Sequence, residues 1–281
     1  MIIDSTVRNR IATLFEPLRN TPSASMPVRG FLSRSLRQQI DRVENGAIEF
    51  KITKTTRMAF ASAAVDVWHR SAHSFLVSCS LTDASPVWAS VAGYYSSHYA
   101  VRAMAHLLGY FQLYTYKRLI RIERVDLCSM TKKNAGDREH KLYWRVVKDS
   151  PQFAKDDWFT KNESSGEASD AGHRELANYW DHVSVLPPVR LLGADAIRDR
   201  ADRISKISFS APPIPRLSRF PDTESVQAMA YHRLVRVRRL MDECIESKNR
   251  FWTAHRQPSW LDGLLNFQLT DVSTPAEAVQ T

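Results

Sequence analysis

Residues 88–110, WASVAGYYSSHYAVRAMAHLLGY, form the longest segment of the chain with bulky side chains all the way round and almost no helix breaker. At about 100° per residue, Ala100, Val101, Met104, Leu107 and Leu108 fall within one arc of a helix, and Tyr95, His98, Tyr99, Arg102 and His106 within another, roughly opposite. A helix without a charged solvent face is buried on both sides. The stretch therefore predicts a central helix that is the candidate for the core and, through its Tyr, His and Arg stripe, for chemistry.

The flanking chain supports a bundle around it. Residues 56–81 repeat Phe60, Ala63, Val67, Phe75 and Leu76 at helical spacing and end at TDASP, where Asp83 or Ser85 can cap the next helix and Pro86 fits its first turn. Two long helices joined by a short capped loop make an antiparallel hairpin. Upstream, residues 2–18 read as an amphipathic helix capped by Asp4 or Ser5, with Ile11, Leu14, Phe15 and Leu18 inward. Residues 31–43 read as a second helix, stopped at Asn45-Gly46, and residues 47–54 as a short strand.

Downstream, residues 114–128 and 140–148 are rich in Tyr, Val, Ile and Trp around the polar TKKNAGDRE, which predicts a β-hairpin. Residues 150–172 read as a polar loop, 173–185 and 189–207 as helices, and the proline-rich 211–222 as an extended connector. The last long helix is 223–252, with Val226, Met229, Leu234, Val237, Leu240, Met241 and Ile245 on one side and Arg233, Arg236, Arg238 and Arg239 crowding the rest. The expected fold is mainly α: an antiparallel helical bundle over residues 51–270 with a β-hairpin inserted near 114–148. A helical extension over 1–50 precedes it and a disordered tail, 271–281, follows.

The 281 residues carry a formal charge of +9, which favours an anionic partner because clustered Lys and Arg displace counterions condensed on a phosphate backbone. Nucleic acid, RNA first, heads the expected partners, and an acidic protein comes second. Cys79, Cys128 and Cys244 stand far apart without a CxxC pair, which supports neither a zinc site nor a disulfide framework and points to a reducing, cytoplasmic setting. No run approaches the roughly 18 apolar residues of a membrane helix. The sequence holds no P-loop, GxGxxG or GxSxG, and no metal or cofactor is expected.

Arg102 and His106, four apart, share a helix face with His98 one turn earlier. They suit either phosphate recognition with proton transfer or a hydrogen-bonded seam between helices, and the seam is favoured. His69 and His73 have the spacing of helical zinc ligands, but position 70 is Arg where a metalloprotease would place its Glu. The run HRLVRVRR, 232–239, offers Arg233, Arg236 and Arg239 to a phosphate backbone or simply makes a solvated face. Lys117, Arg118, Arg121 and Arg124 add positive charge on the hairpin. Tyr114, Tyr116, Tyr143 and Trp144 could stack on bases or pack in the core. Asp195, Asp199 and Asp202 alternate with Arg198, Arg200 and Arg203 at salt-bridge spacing.

The stretch GYYSSHYAVRAMAHLLGY, preceded by WHRSAHSFLVSC and SLTDASP, resembles the helical hairpin of HEPN domains, the higher eukaryote and prokaryote nucleotide-binding family. Members commonly open a helix with paired tyrosines, followed by His or Ala and then a basic residue among alanines. The resemblance covers residues 60–110. It implies an antiparallel bundle that either cleaves RNA without metal, as in prokaryotic anti-phage defence and toxin systems, or serves noncatalytically in nucleotide binding and assembly.

Catalytic members carry an Arg, four to six residues, then a His. The His can take the 2′-hydroxyl proton or protonate the leaving oxygen, and the Arg neutralises charge developing on the phosphate. Arg250 and His255 alone in this chain meet that spacing, with Phe251 where the family favours a polar residue. The expected protein is thus a HEPN-like defence or toxin component that binds RNA, with Arg250 and His255 as the catalytic pair if it also cleaves. The alternative is a noncatalytic basic subunit for nucleic acid or an acidic partner. Either would act as a homodimer or within a larger complex.

Overall fold

The computed structural model describes residues 4–18, 48–113, 118–124, 127–132, 139–151, 153, 157–160, 193–207 and 222–245. Seven helices and four strands lie among them. The helices are α1 (Ser5–Phe15), α2 (Lys54–Leu81), α3 (Pro86–Leu107), α4 (Glu139–Lys148), α5 (Asp157–Thr160), α6 (Ala194–Ser205) and α7 (Thr223–Cys244). The strands are β1 (Ile48–Lys51), β2 (Tyr110–Leu113), β3 (Arg118–Arg124) and β4 (Leu127–Lys132). The fold is mainly α, a helical bundle with an inserted antiparallel hairpin.

The helices start where their caps direct. Asp4 accepts from the Thr6 amide, Thr53 from Thr56 at 3.2 Å, Ser85 from Trp88 at 3.4 Å and Asp222 from Ser225 at 3.1 Å. Each side-chain oxygen satisfies one of the four amides that a helix N-terminus leaves without a partner. Ser85, rather than Asp83, caps α3, with Pro86 in its first turn.

α3 is the centre of the bundle. It packs along α2 and α7, meets α4, and feeds directly into β2. Buried side chains surround most of its circumference, from Ala89 to Leu107. Close approach depends on small residues. A Cβ at Gly93 would sit 2.7 Å from the Val226 Cγ1 of α7 and 3.3 Å from Ser78 Oγ of α2.

Serines stitch the same interface. Ser71 and Ser96 exchange bonds to each other's carbonyls, at 2.7 and 2.8 Å, and Ser78 Oγ donates to the Ala89 carbonyl at 2.6 Å. A serine hydroxyl bonded across to backbone is small and fully satisfied, so two helices approach without leaving a buried polar orphan. Gly109 ends α3 with φ of +91°, a conformation that L side chains rarely adopt, and its carbonyl accepts from the Ile122 amide at 2.8 Å.

The four strands form one antiparallel sheet in the order β1-β4-β3-β2, with a register shift between Ile122 and Arg124. The hairpin is β3–β4, so its first strand lies within the expected 114–128. The expected second strand, 140–148, is instead the helix α4. Tyr143, Trp144 and Val147 are buried while Arg145 and Lys148 are exposed, which is the i, i+1, i+4 pattern of a helix and not the alternation of a strand. The aromatic and β-branched composition pointed to strand, and packing of that face against α3 prevailed.

The strand expected over 47–54 is present as β1, paired with β4. Val7, Ile11, Leu14 and Phe15 of α1 belong to the same hydrophobic cluster as α2, α3 and α7. The helices expected over 31–43 and 173–185 lie outside the described residues.

Candidate functional site

The two histidines of the polar stripe of α3 are turned inward, while Tyr95, Tyr99 and Arg102 are only half-buried. The His106 Nδ1–H donates to the Tyr110 carbonyl at 2.8 Å, its ring stacks on Phe111 at 4.5 Å, and it meets the Tyr143 ring edge-on at 5.6 Å. Burial, then the nearby Arg102 charge, pushes its pKa down to about 3. A general base for neutral conditions needs a pKa near the working pH and access to substrate, and His106 has neither. His98 is buried and stacked on Tyr94. Arg102, half-buried, lies over the Tyr143 ring at 5.2 Å.

The arginines of α7 divide into two kinds. Arg233 is 0 % exposed, donates from Nε to the Trp158 carbonyl at 2.8 Å and lies 4.7 Å over the Trp144 ring. Arg238 pairs with Asp242 one turn on, at 3.2 Å to each carboxylate oxygen, and lies over Trp68, whose Nε1–H donates to the Leu234 carbonyl at 3.1 Å. These two cations are enclosed by aromatic rings and hydrogen-bonded where they stand. His106 and Arg233, expected to meet nucleic acid, are therefore interior residues with structural partners.

Arg236 and Arg239 are the other kind. Both are half-buried. The Arg236 guanidinium lies 5.4 Å over the ring of buried Trp158. Burial first, then repulsion from Arg236, lowers the pKa of Arg239, which as a guanidinium remains charged.

The end of α6, which packs on α7, exposes Arg203 in its last turn and Lys206 at its C-cap. The two helices are joined there by the Tyr231–Ser205 hydrogen bond and by the His232 Nε2–H, which donates to the Ile207 carbonyl at 2.9 Å. Asp202 and Glu243 are the carboxylates at its margin. Arg200 Nε and Nη2 reach Gln227 Oε1 at 3.0 and 2.9 Å, and Gln227 Nε2 donates to Ser78 and Thr82 of α2. This network, buried at Gln227 and Ser78 and partly exposed at Arg200 and Thr82, links α6 to α2 and α7. Arg203, Lys206, Arg236 and Arg239 thus stand on two helices that are bonded to each other, with Asp202 and Glu243 among them.

Arg203 was legible only as one member of an Asp–Arg ladder. Arg198 does pair with Asp195 at 3.0 Å, and Arg203 is exposed in the last turn of α6. Arg121 is exposed on β3, 5.7 Å over the Tyr110 ring. Lys117, Arg250 and His255 lie outside the described residues.

Among the described residues no three His, Cys, Asp or Glu side chains gather in a way that could hold a metal ion. His69 is held neutral, its pKa pushed down to about 4 by burial and by Arg238. Burial pushes the Cys79 thiol up to about 12 and that of Cys244 to about 11, which leaves both as inert core groups. No helix of the described residues is long and apolar enough to cross a membrane. Compared with protein-family models, with curated proteins and with solved structures, the chain finds no match.

Proposed function

We propose that this chain is a HEPN-like, basic nucleic-acid-binding protein, RNA being the favoured ligand, that works through a surface ridge and not through a centre buried in the bundle. The observation that carries this reading is that half-buried Arg236 and Arg239, the second repelled by the first and partly offset by Glu243, stand on α7, which is bonded to the end of α6 where Arg203 and Lys206 are exposed. Like charges held side by side on rigid helices are relieved by an anion that bridges them. The resemblance of residues 60–110 to HEPN hairpins favours a role in a prokaryotic defence or toxin system, as a subunit of a larger assembly or a homodimer. An acidic protein partner is the rival ligand for the same ridge.

Cleavage would be a second activity, carried by Arg250 and His255, whose Arg–four–His spacing favours it. One assay addresses both. Labelled RNA is titrated with the full chain in EDTA over a range of salt, for the wild type, Arg236→Ser/Arg239→Ser and His255→Ala. For single-stranded RNA the double variant should lower the slope of log K against log salt by about 1.4, since each lost phosphate contact removes about 0.7. An unchanged slope and affinity overturns the ridge. Cleavage in EDTA that is lost in His255→Ala supports catalysis, and cleavage that survives removes His255 from any role in it.

A further inference from the structure

One strip of α3 escapes burial. Trp88, Ala92, Tyr95, Tyr99 and Arg102 repeat at alternating spacings of four and three and so follow one line along the helix. All five retain solvent exposure, between flanks that pack on α2 and on α4. Trp88 is 60 % exposed, which a lone indole in the first turn of a buried helix does not need for folding. The Tyr95 and Tyr99 rings lie 6.2 Å apart, and at 1.5 Å per residue the strip from Trp88 to Arg102 spans roughly 21 Å.

The charge is all at one end. Arg102 closes the strip over Tyr143 of α4, the helix that also exposes Arg145 and Lys148. Arg121 stands over Tyr110, three residues past the end of α3. A row of aromatic faces running into a basic end matches a ligand that carries flat apolar groups on an anionic backbone.

We infer that this strip is a stacking platform for a single-stranded nucleic acid: bases lie on Trp88, Tyr95 and Tyr99, and the backbone phosphate at the basic end is met by Arg102. Ring-to-base stacking is tolerant of sequence and requires bases free of a duplex, so the platform selects single strands by structure and not by code. The inference rests on the nucleic-acid reading above but uses a different surface. The ridge of α6 and α7 would grip a backbone of either kind, whereas the strip responds only to unpaired bases.

The test compares the full-length wild type, Trp88→Ala, Trp88→Phe and Tyr99→Leu, each checked for a native thermal transition. Binding is measured to a labelled single-stranded oligouridine of about 12 nucleotides and to an RNA duplex of the same length. The expected result is a loss of about tenfold in single-strand affinity for Trp88→Ala and for Tyr99→Leu, rescue by Trp88→Phe, and unchanged duplex binding. Equal losses on both ligands, or none on either, overturn the platform. If the wild type binds duplex through the ridge but Trp88→Ala still binds the single strand normally, the platform fails and the ridge stands. If the wild type binds neither, both fail. Light scattering completes the set: a dimer that Trp88→Ala converts to monomer would assign the strip to self-association and overturn it as well.

Discussion

Helices α3 and α7 are both 22 residues long and both lie mostly out of solvent, yet they reach that state by opposite means. α3 carries a single charged side chain, Arg102, and is buried because glycine, alanine and serine let two neighbours come close. α7 carries four arginines, and two of them, Arg233 and Arg238, are buried because tryptophans, a carbonyl and a carboxylate surround them. Burial in α3 is a matter of volume, and burial in α7 is a matter of partners. A cation left in the interior without its partner costs far more than a lost methyl group, so the two helices should fail in different ways.

The largest expected effect is therefore in α7. Asp242→Ala leaves the Arg238 guanidinium enclosed without its carboxylate, and should cost about 3–5 kcal/mol in urea unfolding. Replacing both partners, Arg238→Met with Asp242→Leu, should recover most of that loss, because the ion pair's desolvation is removed with its attraction. If the single change costs no more than a surface substitution, α7 is not held by its partners and the contrast with α3 collapses.

Acid should come next. Burial lowers three histidines in the folded state, His232 among them, and most strongly His106, to about 3, and His69, to about 4, against 6.5 for the unfolded chain. A folded pKa below the unfolded one means that the unfolded state binds the proton more readily. Stability from this source is thus present above pH 6.5 and falls as the pH drops, toward 4 for His69 and toward 3 for His106. Each of these two should cost on the order of 2 kcal/mol at pH 5. Urea midpoints measured at pH 7 and pH 5 should show the loss, and His106→Phe should remove the share that His106 contributes. An unchanged slope in that variant would mean that His106 already carries a proton in the native state.

Much of α3 could be read in advance because its signal is local. The spacing of its apolar arcs, Pro86 and the cap at Ser85 all lie within a few turns of one another, and the structure places the helix where they indicate. The sequence leaves His106 open between an interhelical seam and a site; the structure buries it with a local bond to the Tyr110 carbonyl just past the end of α3. The arginines of α7 were not separable. Arg233 and Arg236 sit three apart in one run, and what distinguishes them is Trp144 and Trp158, some 75 to 90 residues earlier. No periodicity within 232–239 encodes those rings.

α4 was misjudged for a related reason. Tyr143, Trp144 and Val147 have strand-like composition, and only the presence of α3 beneath them selects the helical face. The four-stranded sheet likewise depends on β1 pairing with β4 across a separation that short-range turn signals do not span.

The mildest prediction returns to α3 and tests whether volume alone governs it. Gly93→Ala introduces a single methyl group at a point 2.7 Å from Val226 Cγ1 and 3.3 Å from Ser78 Oγ. In an open helix the change would stabilise, since alanine is the better helix former by about 1 kcal/mol. Here the overlap should dominate and leave a net loss of about 1–3 kcal/mol. Val226→Ala on the facing helix should relieve most of it, so that the two changes together cost less than the sum of each alone. A double-mutant cycle in thermal or urea unfolding reads this directly. A coupling near zero would mean that α3 and α7 separate readily at Gly93, and that close packing of small residues is not what keeps the central helix enclosed.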